Sequence, residues 1–479
     1  MARIRAWDSD NSAVPLLTSR IQDLNLTTPV ILEAETTIQE AATQMRARRI
    51  DVVLVRQQNR QGILTSADIR DALAIAQLPV DSPVAGIASW NLVMAAPEEN
   101  LFKALLLMTR REVNRLVIGD QEQLLGTLGL TELLSFLTNH ASLGIQRIHQ
   151  ATTIPELANA VAHQAHWVHS LFTQGMKVRY IGRLVRELDR QVFQKAASLL
   201  AAPELLDHLA ILVMGSEGRG EQIIKTDQDN ALIADEQVPE QEIQSFARLF
   251  TDALLQLGYP LCPGNVVMSN PQWGGRLQSL QHRVRTWMET PTPGNLMQLA
   301  ICYDARAVAG RQELFQEIRD FFFAHLPNDP AFYGHFALPV LAFKTPLGIF
   351  KRFIVEKGGK QGQIDLKRGG IFPIVHGVRS LALENRLQEA NTARRVRELV
   401  AKGVLERTFG TDLIEAFDFI SSLRIRVRLQ QLANDKPTSD LLLLGSLGRL
   451  DRENLRDCFV LVNRFKEQIS HHFRLRSLQ

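Results

Sequence analysis

The chain has 479 residues, of which 45% are apolar and 22% are charged, so about two to four domains are expected and extensive disorder is not. Lysine and arginine (54) barely exceed aspartate and glutamate (51), which argues against nucleic acid as a partner and disfavours a DNA polymerase. Three scattered cysteines match no disulfide framework, no apolar run reaches the roughly 18 residues of a membrane span, and the N-terminus lacks a signal-peptide core, so we expect a cytoplasmic protein without membrane segments.

An imperfect internal repeat follows an N-terminal segment at 1–24. Its two copies, predicted at 25–80 and 81–140, each contain a short strand, an amphipathic helix, a β-rich run, a glycine-started strand and a second helix. The first copy reads PVILEAETTIQEAATQMRARRIDVVLVRQQNRQGILTSADIRDAL, and the second reads NLVMAAPEENLFKALLLMTRREVNRLVIGDQEQLLGTLGLTELLSFL. The repeat predicts two small domains of one fold.

A short motif in the first copy suggests nucleotide binding. Gly62, Thr65 and Asp68 stand where the glycine-started strand meets the second helix. The second copy departs from this pattern, with Gly126, Gly129 and Glu132 at the equivalent places. A hydroxyl at a helix start can donate to an anion, and a carboxylate can accept from sugar hydroxyls, although threonine and aspartate also serve there as plain helix caps. The repeat resembles a tandem pair of CBS (cystathionine-β-synthase) domains. That resemblance implies AMP, ADP or ATP at Thr65 and Asp68 and a homodimer formed through the pair, or a purely dimerising scaffold.

The predicted connector at 141–207 is helical throughout. Apolar residues recur at helical spacing, and His163, His166 and His169 follow one another at intervals of three. Because positions i, i+3 and i+6 drift around a helix, these histidines rarely close a metal cage, and we expect a partly buried polar edge instead.

Two aspartates mark the start of a predicted strand in the next segment, ILVMGSEGRGEQIIKTDQDNALIA. We expect strands at 209–214 and 230–234 and an amphipathic helix at 240–257. Residues two apart in a strand share a face, so Asp227 and Asp229 bring like charges together, which is unfavourable unless a cation lies between them. Mg²⁺ or Mn²⁺ is the natural candidate, because such ions prefer carboxylate, water and phosphate oxygens. The alternative is that the D-x-D pattern arises by chance and only caps a loop.

The turn before these aspartates suits a phosphate. Gly215 and Ser216 can aim backbone N–H groups and a hydroxyl at an anion, and Arg219 adds a charged donor. A metal held between paired carboxylates and a triphosphate is the apparatus of nucleotidyl transfer. The order of strand, Gly-Ser turn, D-x-D and strand is more specific than either half alone.

The string GSEGRGEQIIKTDQDNALI resembles the nucleotidyltransferase core of the DNA-polymerase-β-like superfamily, in the branch related to bacterial PII-protein uridylyltransferases. From about residue 25 onward, the chain resembles bacterial proteins that join CBS domains to a DUF294 nucleotidyltransferase domain and a DUF294-type C-terminal domain. The resemblance implies a multidomain α/β (α+β) fold with a mixed-sheet transferase core at 208–328 and a mainly helical domain at 329–479. It also implies that Gly215 and Ser216 bind nucleotide phosphates and that Asp227 and Asp229 hold the metals, with Asp304 as the candidate third catalytic carboxylate.

A glycine-rich loop in the C-terminal part, VEKGGKQGQIDLKRGGIFP, gathers Lys357, Lys360, Lys367 and Arg368. These cations could clamp a phosphate or an acidic protein substrate beside the active site. An exposed turn would have the same composition, and both interpretations stay open.

Two further C-terminal patterns are interpreted as having no functional role. The arginines at 394, 395, 397, 424, 426 and 428 are interpreted as solvated helix faces. The segment LLLLGSLGRLDRENLRD repeats the string G-S-x-G-R from Gly445, but no D-x-D follows and its flanks look helical, so we interpret it as coincidence.

Two hypotheses of function follow. The first is a metal-dependent enzyme that moves a uridylyl or adenylyl group from a nucleoside triphosphate to an acceptor, expected to be a protein, under control of the CBS pair. The second is a nucleotide-sensing regulatory protein whose transferase fold is catalytically idle.

Overall fold

The computed structural model describes residues 20–24, 26, 29–48, 50–58, 60–74, 76–111, 113–119, 124–130, 132–133, 144–162, 164–173, 176–348, 353 and 362–478. The chain divides into two compact units, Met1–Gln146 and Arg147–Gln479. Among the described residues, no helix combines the length and the apolar character that a membrane crossing requires.

The first unit contains two three-stranded sheets of the same topology. The first sheet is built from β1 (Ile31–Glu33), β2 (Val52–Gln57) and β3 (Arg60–Thr65), and the second from β4 (Met94–Ala95), β5 (Arg115–Gly119) and β6 (Leu124–Gly129). In each sheet the first two strands are parallel and the last two antiparallel. The α-helices whose bounds the described residues define there are α1 (Ile38–Arg48), α2 (Ser66–Ala74) and α3 (Leu101–Arg111). The repeated strand order follows the predicted internal repeat.

Helices fill the predicted connector. They are α4 (Gly144–Gln150), α5 (Ile154–Val161), α6 (Gln164–Thr173), α7 (Val178–Leu200) and α8 (Pro203–Leu206). Of the three histidines singled out above, His166 and His169 lie on α6, whereas His163 lies outside the described residues. Among the described residues, no group of three or more histidine, cysteine or acidic side chains is arranged to hold a metal ion.

A mixed four-stranded sheet forms the centre of the second unit. Its order is β10-β7-β8-β9, with β7 (Leu209–Val213), β8 (Asn230–Ala234), β9 (Gly274–Arg276) and β10 (Arg306–Gly310). β7 is antiparallel to both β8 and β10, and β8 is parallel to β9. Every residue of β7 and β8 is buried, and all of them except Asn230 are apolar.

Helices cover this sheet. The 4-residue turn α9 (Gly215–Gly218) follows β7; the longer helices are α10 (Glu240–Gln256), α11 (Leu277–Glu289), α12 (Pro293–Tyr303) and α13 (Gln312–Ala324). α10 buries Ile243, Phe246, Phe250 and Leu254, whose spacing places them on one face of the helix.

The C-terminal part is mainly helical, as predicted. It contains α14 (Pro330–Ala337), β11 (Gln363–Asp365), α15 (Phe372–Glu384), α16 (Thr392–Ala401), α17 (Arg407–Leu432), β12 (Leu441–Leu443) and α18 (Arg449–His472). A π-helical turn at Lys367–Ile371 leads into α15. β11 and β12 pair antiparallel, so the predicted helical flank before Gly445 is wrong: that flank is a strand whose hydrogen-bond partner lies far back in the chain.

A continuous hydrophobic cluster runs from the central sheet into the C-terminal helices. It contains Ala210 and Ile233 of the sheet together with Phe409 of α17 and Phe459 of α18. The predicted transferase core and helical domain therefore share one core, and their packing positions the site described next. The mixed α/β fold class, with CBS-like folds, a mixed sheet and a helical C-terminal region, is confirmed.

Candidate active site

The glycine loop after β7 packs against the segment that contains Asp227 and Asp229, just before β8. Gly215 has a φ of +57°, in the left-handed region that favours glycine, and a Cβ there would lie 2.4 Å from Oδ2 of Asp229. The Met214 N–H donates to the Asp229 carbonyl at 2.8 Å. Because Gly215, Ser216 and Glu217 begin the short turn α9, no intrahelical carbonyl is available to their N–H groups.

The paired aspartates share a face, as predicted from their spacing. Between them, Gln228 is buried and its amide donates to the Tyr259 carbonyl at 3.2 Å. Asp227 is exposed and Asp229 is half-buried, and both line the same cavity. Burial raises the pKa of the Asp229 carboxyl, a hydrogen bond from the Cys262 thiol opposes this, and the charge of Asp227 raises the pKa further. The second carboxylate is thus costly to ionise without a nearby cation.

The cavity between the loop and the C-terminal helices has a volume of about 270 Å³. Its walls come from the loop at 215–229, from the turn and helix at 367–379, and from one face of α17 at 417–428. Gly215, Ser216 and Arg219, which were predicted to bind phosphate, all line it. The sequence-predicted phosphate and metal residues therefore meet in a single concave site.

Asp304 does not line the cavity that contains Asp227 and Asp229. Its carboxylate is fully buried at the end of α12 and accepts hydrogen bonds from Arg219 Nη1 at 2.7 Å, Arg395 Nη1 at 2.8 Å and Arg379 Nε at 3.1 Å. Burial raises the pKa of Asp304, but the three guanidinium groups outweigh it and hold that pKa well below its usual range. This geometry corrects the prediction of a third catalytic carboxylate: Asp304 is a structural counter-ion to arginines contributed by α15, α16 and the loop.

Arg219 consequently has two partners besides any ligand. Its Nε donates to Glu221 at 2.6 Å, and the other oxygen of Glu221 accepts from the Thr392 N–H at 2.7 Å at the start of α16. These contacts fasten the glycine loop to the C-terminal helices. They orient the Arg219 guanidinium at the cavity wall, where only part of its donors remain for a phosphate.

Among the described residues, only part of the cationic loop that was predicted to clamp a substrate lines the cavity. Lys367 lines the cavity and its charge acts on Asp229, whereas Arg368 does not line it. The Arg368 side chain is 69% exposed, and its guanidinium lies 5.5 Å from the Phe343 ring centre. Lys357 and Lys360 lie outside the described residues.

Three cavity arginines were not recognised as site residues from the sequence. Arg379 of α15 and Arg424 and Arg428 of α17 all line the cavity, and Arg395 beside them is 0% exposed. The expectation of solvated helix faces is therefore wrong for the arginines at 395, 424 and 428. The four-residue spacing of Arg424 and Arg428 was the available signal, since it places both on one helix face.

In the first unit, Thr65 and Asp68 form a reciprocal helix cap. The Thr65 N–H and hydroxyl both donate to Asp68 Oδ2 at 2.7 Å, and the Asp68 N–H donates to Thr65 Oγ1 at 3.3 Å. In the second copy, Glu132 accepts from Arg115 at 3.2 Å, and Arg115 also contacts Asp51 at 2.9 Å. The capping alternative thus describes this geometry, and the nucleotide-binding role of both residues stays a prediction.

Comparison with known proteins follows the same division of the chain. Residues 21–75 and 84–139 match the family model "CBS domain". Residues 162–294 match "Putative nucleotidyltransferase DUF294", and residues 330–473 match "Putative nucleotidyltransferase substrate binding domain". Over 127 residues the chain is 30% identical to the CBS domain-containing protein YhcV of Bacillus subtilis, covering 26% of this chain and 91% of that protein.

Solved structures similar to about a quarter of the chain include the following two. A conserved protein from Pyrococcus horikoshii has 24% identity, a TM-score of 0.24, and covers 25% of this chain and 92% of its own. A CBS domain protein from Pyrobaculum aerophilum complexed with AMP has 23% identity, a TM-score of 0.23, and covers 25% and 99% respectively.

The family-model and sequence matches define a CBS-domain protein with an additional α/β and helical part. The chain belongs to the family that joins a CBS pair to a DUF294 domain and its C-terminal substrate-binding domain, as its resemblances predicted.

Proposed function

We propose that this protein is a metal-dependent nucleotidyltransferase that moves a nucleoside monophosphate from a nucleoside triphosphate to an acceptor. The observation that carries the proposal is the meeting of Asp227 and Asp229 with the Gly215-Ser216 turn in one cavity. The match of residues 162–294 to a nucleotidyltransferase family supports it. Fold resemblance alone would not, because function depends on the site rather than the fold.

The donor set of the cavity fits Mg²⁺ or Mn²⁺. Asp227 is exposed and Asp229 half-buried on the same wall, and burial together with the charge of Asp227 raises the pKa of the Asp229 carboxyl. Mg²⁺ is commonly held by one or two carboxylates, with substrate phosphates and water completing its octahedron. An ion bound there would neutralise phosphate charge and lower the pKa of the attacking hydroxyl.

The remaining cavity residues suit a triphosphate. The Ser216 hydroxyl and the N–H groups that start α9 can donate to its phosphate oxygens, and Arg219 and Lys367 supply positive charge at the same wall. In the transfer, the acceptor oxygen forms a bond to the α-phosphorus and the bond from that phosphorus to the bridging oxygen breaks. Pyrophosphate leaves, and the acceptor's proton passes to water.

The acceptor and the control of the reaction are further parts of the proposal. By resemblance to PII-protein uridylyltransferases, the acceptor is a protein and the transferred group is uridylyl or adenylyl. The CBS pair forms a homodimer and binds AMP, ADP or ATP near Thr65 and Asp68. If that ligand alters transfer by changing substrate affinity, the substrate must change the affinity for the ligand by the same factor.

A second candidate function rests on a specific observation. Asp304 is committed to three arginines, and the described residues offer no group of three metal-ligating side chains. A site with two carboxylates could bind a nucleotide and its metal without turnover, which would make the protein a nucleotide-sensing regulatory module.

Labelling separates the two candidates. The full chain is incubated with each α-³²P-labelled nucleoside triphosphate, Mg²⁺ or Mn²⁺, and a cell extract. Label attached covalently to an acceptor, and absent with Asp227→Asn, supports the transferase. Saturable nucleotide binding without attachment under every condition supports the sensor and refutes the transferase.

A further inference from the structure

A second cationic cluster lines the cavity on α17. Arg424 Nε and Nη2 donate to the two oxygens of Asp440 at 3.0 and 3.1 Å, and Arg428 Nε and Nη2 donate to the same two oxygens at 2.9 and 3.2 Å. The side chains of Arg424, Arg428 and Asp440 are 20%, 15% and 11% exposed. Two largely buried guanidinium groups thus share one carboxylate, and the cluster keeps a net positive charge.

Within the described residues, these arginines do not use all of their donors on protein acceptors. Their hydrogen bonds to other described residues use Nε and Nη2, so each keeps its Nη1 group for a ligand. The two Nη1 groups can each donate to one oxygen of a bound anion, beside the carboxylate that the other donors already hold. Carboxylate and phosphate groups both satisfy that pattern.

Different charged neighbours dominate at the cluster and at the aspartate end of the cavity. The charges that act on Asp229 belong to Asp227, Lys367 and Arg219. Those that act on Arg424 belong to Asp440, Arg428 and Asp365. Apolar side chains of the same cavity, including Phe417 and Ile425 of α17 and Phe372 and Val375 near the start of α15, make up much of the remaining wall. The cavity therefore has two charged poles and an apolar lining.

A nucleoside triphosphate carries its anionic groups in one continuous chain. When that chain occupies the pole at Asp227 and Asp229, it leaves the pole at Arg424 and Arg428 to another molecule. We propose that Arg424 and Arg428 form a subsite for an anionic group, a carboxylate or a phosphate, of the acceptor. This assignment to the acceptor rests on the proposed function, whereas the anion site itself does not.

Replacing Asp440 tests the proposal, because the substitution is expected to strengthen anion binding rather than weaken it. As an internal anion, Asp440 partly neutralises the two arginines that a ligand anion must meet. Replacing it with asparagine should therefore strengthen anion binding, while a purely structural role for the Arg424–Asp440–Arg428 cluster predicts a loss of stability and no gain in binding.

The first experiment measures anion binding by calorimetry. The full chain is saturated with Mg²⁺ and a non-hydrolysable nucleoside triphosphate analogue, and is then titrated with succinate and, separately, with inorganic phosphate. We expect one further site, weakened about tenfold or more in Arg424→Gln and Arg428→Gln and tightened several-fold in Asp440→Asn. The tighter of the two probes identifies the anion as carboxylate or phosphate.

Arg426→Gln is the matched control. Arg426 stands between the two arginines on α17, but its side chain contacts Asp451 at 2.8 Å and does not line the cavity. It should bind both probes like the unmodified chain. Equal weakening in Arg426→Gln, or unchanged or weaker binding in Asp440→Asn, overturns the subsite. If an arginine variant does not fold, as judged by thermal melting, Asp440→Asn decides the question.

The second experiment separates this proposal from the proposed function. If the nucleotide analogue displaces both probes, the cluster belongs to the nucleotide site and the assignment to an acceptor is overturned. In the labelling assay, Arg428→Gln should raise KM for the acceptor about tenfold at unchanged nucleotide affinity. If the unmodified chain transfers no label, the transferase and the acceptor assignment both fall, while the calorimetric result still decides whether the anion site exists.

Discussion

The string G-S-x-G-R occurs twice in this chain, and the two copies differ in nearly everything beyond their letters. At Gly215 it follows a fully buried strand and contacts the segment with Asp227 and Asp229, which leads into β8. At Gly445 it follows the short strand β12, and Ser446 merely donates to the Leu443 carbonyl at 2.7 Å. A phosphate-binding role depends on what the fold brings opposite the turn, and the string itself does not supply it.

Glycine is required in one copy and is incidental in the other. A Cβ at Gly215 would collide with Asp229, and at Gly218 it would lie 2.1 Å from the Asp304 carbonyl oxygen. Of the residues that the structure describes, none comes within 4 Å of a Cβ built on Gly445 or Gly448. The first turn is therefore pressed between two other segments, whereas the second has open space around it. Matched substitutions in the two copies test this difference.

The largest difference is expected at the carboxylates. Asp227→Asn should reduce transfer roughly a thousandfold, comparable with the loss of a strong electrostatic partner of the transition state. Its melting temperature should stay unchanged or rise slightly, because Asp227 is exposed and its removal relieves repulsion with Asp229. Asp457 stands at the same distance along the chain from Gly445, and Asp457→Asn should leave transfer intact. Steady-state transfer rates and thermal melting of both variants provide the measurement.

The next difference concerns stability. Arg219→Gln should destabilise the fold by about 3 kcal/mol, because it leaves Glu221 and Asp304 with fewer counter-charges in a buried place. Arg449 is 90% exposed and pairs with Glu453, so Arg449→Gln should change stability by less than about 0.5 kcal/mol. Urea unfolding measures both, and equal effects would contradict the distinction between the two copies.

A smaller effect is expected at the first glycine. Gly215→Ala should cost about 1–2 kcal/mol from its left-handed backbone alone, and should also lower transfer by displacing the Asp229 carboxylate. Gly445→Ala should stay within about 0.5 kcal/mol of the unmodified chain. Denaturant unfolding and transfer rates, measured side by side, check the pair. A harmless Gly215→Ala would show that Asp229 is not pressed against this turn.

The smallest effect is expected at the serines. Ser216→Ala removes one hydroxyl donor to a phosphate and should raise KM for the nucleoside triphosphate by up to about tenfold, with little change in stability. Ser446→Ala removes only a local bond to a carbonyl and should leave KM unchanged. Nucleotide titrations of the initial rate distinguish the two. An unchanged KM in Ser216→Ala would remove the hydroxyl from the proposed triphosphate contacts.

Much of the fold and part of the site could be predicted from local patterns. The strand at 230–234, the helix at 240–257 and the repeated domains all follow from hydrophobic periodicity, which depends on neighbours a few residues apart. The shared face of Asp227 and Asp229 follows from the two-residue period of a strand in the same way. Asp304 and the arginines at 395, 424 and 428 were misjudged, because charge alone does not indicate burial.

The sequence by itself determined the elements, the two glycine turns and the spacing of the paired carboxylates. Only the tertiary structure decided which turn meets those carboxylates and which charges are paired. Asp304 and Arg395 lie far apart in the chain. Arg219 and Glu221 are likewise far in sequence from the start of α16, which they contact. A buried charge is tolerable only where its counter-ions converge, and that convergence is set by the packing of the shared core, which no local pattern records.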